Sequence, residues 1–194
     1  MLADECYVVL HEVRLRGLVE VSGELVDSPH VAALLAAGLV ARARTSLRIT
    51  AEGRETHAEW ALLTAGSGEQ QAAQRGYERF LPLNAEFLRL CHDWQVRPGE
   101  VPNDHSDARY DWAVLDRLHA LDERAAVVVR RIGRDVPRFE PYPGRLRAAL
   151  RRVDEGEHEW FTSPRIDSYH TVWMHVHEDL LLALGRDRAD EPQR

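Results

Sequence analysis

Three short stretches of this chain hold side chains able to do chemistry. PNDHSDARYD supplies Asn103, Asp104, His105, Asp107, Tyr110 and Asp111. CHDWQ supplies Asp93, Trp94 and Gln95, and EWFTSPRIDSYH supplies Trp160, Arg165, Asp167, Tyr169 and His170. A histidine beside a carboxylate is a tunable acid–base pair near neutral pH. His105 or His170 is therefore a candidate general acid–base, with Asp104 or Asp167 as its orienting partner. Aromatic walls with a few convergent polar groups are what a small-molecule pocket needs. Trp94, Trp160 and Trp173 would be the walls. Asn84, Asp104, Asp107, Tyr110, Asp111, Arg165, Tyr169 and His177 complete the candidate ligand-binding set. Taken singly, each of these residues has an ordinary role as a helix cap or a hydrogen-bonding group under a loop. Their density favours a pocket.

Metal binding is the weaker reading of the same residues. His170 and His177 fall on one edge of the last helix, but seven residues apart they are separated by a rise of about 10.5 Å. An i, i+4 pair is the helical zinc spacing, and position 174 is Met. A single-ion site would need one of these histidines together with Asp104, His105, Asp107 or Asp111. No metal and no cofactor is expected.

The elements that must position these groups are mostly helices. A long apolar stripe runs from Glu69 to Val96, with Tyr77, Phe80, Phe87, Leu88, Cys91 and Trp94 on one side and Asn84 among them. Pro82 should kink or divide it. After the loop RPGEVPNDHSD, Ser106 or Asp107 can cap a helix that runs to about Ile132, with Gly133 as its stop. A shorter arginine-rich helix follows from Arg145 to Val153, read as a solvated face. The last helix, from Ser163–Pro164 to Gly185, has a core stripe of Ile166, Tyr169, Trp173, Val176, Leu180 and Leu184. His175 lies nearly opposite that stripe and should be solvated.

The first third is built differently. Residues 4–16 read as a helix stopped by Gly17, and Leu18–Val26 as a short helix or an extended segment. Asp27 or Ser28 can cap a helix with Pro29 at its first position and Val31, Leu34 and Leu35 on its apolar side. Two β segments follow, near Leu39–Arg44 and Ser46–Ile49, and Thr50 caps another helix, TAEGRETHAEW. The fold class is mainly α with a small β-ribbon. The expected domains are residues 1–64, a helical domain over 65–186 after the joint AGSG, and a disordered tail over 187–194.

Composition fits a globular protein with a core: 44% of residues are hydrophobic and 29% charged. No apolar run approaches the roughly 20 residues needed to span a bilayer, and the first ten residues make a poor signal peptide. A cytoplasmic location is expected, with Cys6 and Cys91 as free, buried thiols. All 25 basic residues are arginine, and the net charge is −7. DNA binding would need a local basic patch.

Such a patch is suggested by similarity. The stretch AALLAAGLVARARTSLRITAEGRETH resembles winged-helix regulators of the MarR and PadR type. The likeness rests on Ala36–Val40 before the wing and on Leu47–Arg54 after it, which looks like an L-x-L-T-x-x-G-R exit with Ile49 at the third position. The resemblance implies an N-terminal winged helix that binds DNA, with residues 29–37 as the reading helix. Arg42, Arg44 and Arg48 sit on or beside the ribbon, where phosphate contacts are expected. His30 is the polar side chain that the reading helix offers, although base readout needs Arg, Asn or Gln there. Acidic residues also outnumber arginines, nine to six, over residues 1–63. Packing, dimerisation or partner contact therefore competes with DNA binding.

The C-terminal motifs LxLCxDWQ, NDHSDxxYD and DSYHTVWxxxHEDLLLALG are similar to an actinobacterial family of winged-helix transcriptional regulators. Related segments are fused to phosphate-dikinase-like enzymes. This likeness spans roughly residues 1–186 and assigns no catalytic roles. It implies a homodimeric regulator whose helical domain binds a small-molecule ligand. The alternative is an enzyme of specialised metabolism on a repurposed winged-helix scaffold, using the His/Asp/Trp pocket for acid–base chemistry. A third reading is an adaptor that binds a partner protein and does no chemistry.

Overall fold

A computed structural model describes residues 4–23 and 28–191. The described residues form two compact units, one comprising those up to 63 together with 181–187 and the other 64–180 together with 188–191. The chain is mainly α-helical with small antiparallel sheets. Among the described residues no helix is long and apolar enough to cross a membrane.

In the first unit, α1 (Asp4–Arg16) is followed by β1 (Leu18–Glu20), α2 (Pro29–Ala36), β2 (Val40–Ala43), β3 (Ser46–Ile49) and α3 (Ala51–Ala61). Leu18–Val26, left open between helix and strand, therefore begins as a strand. Residues 24–27, including the capping candidate Asp27, lie outside the described residues. Ser28 caps α2, accepting from Val31 N. The three strands pair antiparallel in the order β1-β3-β2. Their buried face is continuous with Cys6, Leu10 and Val13 of α1 and Val31 and Leu34 of α2.

The Leu47–Arg54 motif has a local physical cause. Thr50 caps α3 by accepting from Gly53 N at 2.9 Å, and its hydroxyl donates to Gly38 O at 2.7 Å. A Cβ at Gly53 would lie 1.9 Å from the carbonyl oxygen of Leu39, so only glycine lets α3 start so close to the ribbon.

In the second unit, α4 (Gly68–Gln95) and α5 (Ala108–Asp135) run antiparallel. Gly76 meets Ile132, Glu86 meets Arg124, and Asp93 meets Arg117. Between them β4 (Val96–Arg97) and β5 (Val101–Pro102) form a short hairpin. Then come α6 (Tyr142–Asp154), α7 (Glu159–Thr162) and α8 (Tyr169–Leu184). The buried interior includes Phe80, Phe87, Trp94, Leu118, Leu121, Val129, Phe139, Phe161, Tyr169 and Trp173.

Several sequence expectations need correction here. Pro82 does not divide α4; it is exposed, where water can serve the carbonyl its ring displaces. Leu88 is exposed and Leu90 buried in its place. Gly133 does not stop α5, which passes through it. A Cβ there would sit 3.0 Å from the backbone of Glu140, so this glycine serves a close packing contact. α8 begins at Tyr169, because Ser168 Oγ accepts from Thr171 N at 3.2 Å. His175 is buried, with Nδ1 3.1 Å from Arg145 Nη2. It is not solvated, because α8 is covered on nearly every side and a single-stripe reading fails for such a helix. In the tail expected to be disordered, Arg188–Asp190 form a 3-10 turn. Glu191 accepts from Tyr77 Oη at 2.6 Å. Residues 192–194 lie outside the described residues.

Candidate functional site

The loop between β5 and α5 is wound by successive side-chain caps. Asn103 Oδ1 accepts from His105 N at 3.3 Å, and Asp104 Oδ1 accepts from Ser106 N at 3.1 Å and Ser106 Oγ at 2.7 Å. Asp107 caps α5 through Tyr110 N at 3.2 Å, while its other oxygen takes Arg97 at 2.9 Å. The two bonds from Ser106 hold the exposed Asp104 carboxyl below its ordinary pKa. These turns leave His105 with a φ of 59°, a left-handed backbone that is uncommon outside glycine, although histidine adopts it more readily than most residues.

That backbone aims the His105 ring inward. Its Nδ1 lies 3.1 Å from Oδ2 of Asp111, whose side chain is 7% exposed. Asn103 Nδ2 donates to Trp94 O at 3.0 Å and to Asp111 Oδ1 at 2.8 Å. Both amide hydrogens are thereby used. The 3.2 Å approach of Asn103 Nδ2 to His105 Nδ1 is then a contact without a shared proton, and Nδ1 carries the hydrogen given to Asp111. Nε2 is left to accept, donate or ligate. The ring lies against Trp94 at 4.5 Å and His158 at 5.5 Å between centroids. Trp94 also touches Phe161 at 5.0 Å and the edge of His158 at 5.4 Å.

This arrangement is a buried carboxylate, an oriented imidazole and a second imidazole over an aromatic floor. It can move a proton, grip a polar ligand or hold a cation. One oxygen each of Asp111 and one nitrogen each of His105 and His158 lie within 4.8 Å of one another. A shallow cleft of about 250 Å³ is lined by His92, Asp93, Val96, Arg97, Tyr110 and Arg117 among others, smaller than the roughly 300–1,000 Å³ of drug-sized ligand pockets. Tyr110 donates its hydroxyl to Asp93 O at 2.7 Å, and Arg97 covers its ring at 5.3 Å.

The sequence-predicted residues therefore separate. Trp94, His105 and Asp111 come together, with Asp107 and Tyr110 close by in the chain. The carboxylate that orients His105 is Asp111; Asp104 is committed to Ser106. Asp167 faces Arg145 at 3.3 Å. His170 is half-buried against Phe87 at 5.9 Å, and burial lowers its pKa. Asn84 is a satisfied core amide, accepting from Trp173 Nε1 at 2.9 Å. Tyr169 donates to Asp122 at 2.9 Å. His177 is buried, with Nε2 2.7 Å from Glu191 Oε1. Trp160 lies under Arg152 at 4.8 Å, and Arg165 is exposed.

His158 was not among the predicted residues. It sits at the head of a four-residue helix with no periodicity to flag it, and its distance from His105 is set by the path of α5 and α6. In the first unit, the stacked rings of Tyr7, His11 and His57, with His11 Nδ1 2.9 Å from His57 Nε2, were likewise missed.

The candidate DNA-contacting residues are also placed. Arg44 has a φ of 57° in the two-residue turn between β2 and β3. Arg42 pairs with Leu47, and Arg48 with Ala41 and Leu18. Because directly opposed residues share a face, Arg42 and Arg48 emerge on opposite faces of the sheet, and all three arginines are exposed. His30 is half-buried, its Nδ1 3.8 Å from Cys6 Sγ. The exposed positions of α2 are Pro29, Ala32 and Ala36.

Comparison with known proteins finds no matching family model, curated protein or solved structure.

Proposed function

We propose that this chain is a regulator-type protein. Its first unit acts as a winged helix on DNA, and its helical unit takes an effector at the Trp94–His105–Asp111 site. The observation that supports the DNA part is the tight β2–β3 turn, which carries Arg44 at the ribbon tip, with Arg42 and Arg48 exposed on opposite faces of the ribbon behind it. Arginines at a ribbon tip suit the phosphate backbone. The exposed side of α2 offers proline and alanine where base readout needs donors and acceptors. Binding is therefore expected to depend on phosphate and salt, with little sequence preference from α2.

Fluorescence anisotropy of the full chain with a labelled duplex tests this. Affinity should fall steeply with salt, by a slope of about 0.9 per phosphate neutralised. Replacing Arg42, Arg44 and Arg48 by alanine should flatten that slope. Absence of binding at low salt, or an unchanged slope in the triple variant, would sink the DNA reading.

One observation favours a second reading, an acid–base enzyme. A buried carboxylate on Nδ1 fixes the tautomer that leaves Nε2 free to shuttle a proton. If His105→Gln restores the phenotype of a gene deletion as well as the natural protein does, that reading fails.

A further inference from the structure

We propose that His105, Asp111 and His158 form a binding site for a first-row divalent transition metal ion, with Zn²⁺ as the ion it suits best. This rests on the reading of the cluster as a binding site and names the class of ligand it takes. Among the described residues, this is the one group of three histidine, cysteine or carboxylate side chains whose ligand atoms converge, all within 4.8 Å of one another.

Two imidazoles and one carboxylate are a donor set for zinc, iron, cobalt or nickel, and leave coordination positions open. Zinc bonds of about 2.0–2.2 Å place tetrahedral donors roughly 3.3–3.5 Å apart. His105 Nδ1 and Asp111 Oδ2, at 3.1 Å, already have nearly that spacing. An ion there would take the place of the proton between them. The remaining closure falls to His158, whose exposed side chain has no hydrogen-bond partner among the described residues. It follows Gly156, which has a φ of 86°, at the start of a four-residue helix. A small shift there costs little buried contact.

The surroundings also fit. Metal ligands need outer groups that hold them in orientation, and such groups affect affinity by about 10–100-fold. Asn103 Nδ2 holds the second oxygen of Asp111 at 2.8 Å. Trp94 and Phe161 form an apolar wall behind the imidazoles, which limits competing water. Elsewhere His119 meets the single carboxylate of Asp154 and His177 that of Glu191, and His11 and His57 face each other with no third ligand group among the described residues converging on them.

The test is titration of the metal-free full-length protein with Zn²⁺ by calorimetry, and with Co²⁺ by visible absorption. We expect one ion per chain and cobalt bands characteristic of mixed nitrogen and oxygen donors. His158→Ala removes an exposed ligand at the cost of one ring-edge contact with Trp94, and should weaken Zn²⁺ binding at least about tenfold. His105→Ala should do the same, and His119→Ala should leave binding unchanged. No saturable binding at micromolar Zn²⁺, or equal affinity in His158→Ala and the natural protein, overturns the proposal. Those outcomes leave the arginine-dependent DNA binding untouched, so the two readings fail separately.

Discussion

His105 Nδ1 and Asp111 Oδ2 are 3.1 Å apart, six residues from each other in the chain and joined across the start of α5. The bond exists because Asn103 fixes the carboxylate from its other side while its carbonyl oxygen accepts from the backbone of His105. One amide thus sets both the histidine's backbone and its partner's orientation.

Asn103→Leu should therefore destabilise the second unit. Asp111, 5% exposed, and the Trp94 carbonyl both lose a donor. A buried polar group stripped of its partner costs about 1–3 kcal/mol. Urea unfolding should show a lower midpoint. An unchanged midpoint would mean that water or another donor replaces the amide.

A similar argument applies at Gly53, on steric grounds. Its missing Cβ would overlap the Leu39 carbonyl oxygen at 1.9 Å. Gly53→Ala must push α3 away from the ribbon, at a cost of about 1–3 kcal/mol or more. Thermal unfolding measures this directly. A variant as stable as the natural protein would show that Thr50 can cap α3 from a displaced position.

What could be read beforehand followed local chemistry. Ser28, Thr50 and Asp107 cap their helices through side-chain bonds to the third residue on, and each bond lies within four consecutive residues. The strand pair at 96–97 and 101–102 is too short to show alternation, and the four-residue α7 is too short to show a helical period. The 103–111 part of the site was legible because asparagine, aspartate and histidine crowd one loop. His158 was not, because only the folding of α6 back from α5 brings it near. His170 and Asp167 looked like a pair from their spacing, yet Arg145 takes the carboxylate and Phe87 the ring.

Cys91 should be chemically silent in the native protein. Burial pushes its thiol up to about 12, and only the thiolate is an effective nucleophile. In a Cys6→Ser background, a disulfide reagent at about pH 8 should label no thiol in the folded chain and one in denaturant. Rapid native labelling would require α4 to open around Cys91.

The pH dependence of stability should carry a signature of His170. Burial against Phe87 lowers its pKa in the folded protein below the ordinary histidine value, which is about 6.5 in an unfolded chain. As pH falls through that value, the unfolded state takes up the proton first. Stability rises with pH wherever the unfolded state binds more protons, so the contribution of His170 is complete above about 6.5 and declines below it toward the folded pKa. Replacing it with phenylalanine keeps an aromatic ring over Phe87 and removes the titration. Between about pH 7.5 and 5.5, the natural protein should lose more stability than His170→Phe, as read from urea midpoints. Equal losses in the two proteins would show that the ring already reaches solvent enough to hold its proton in the folded state.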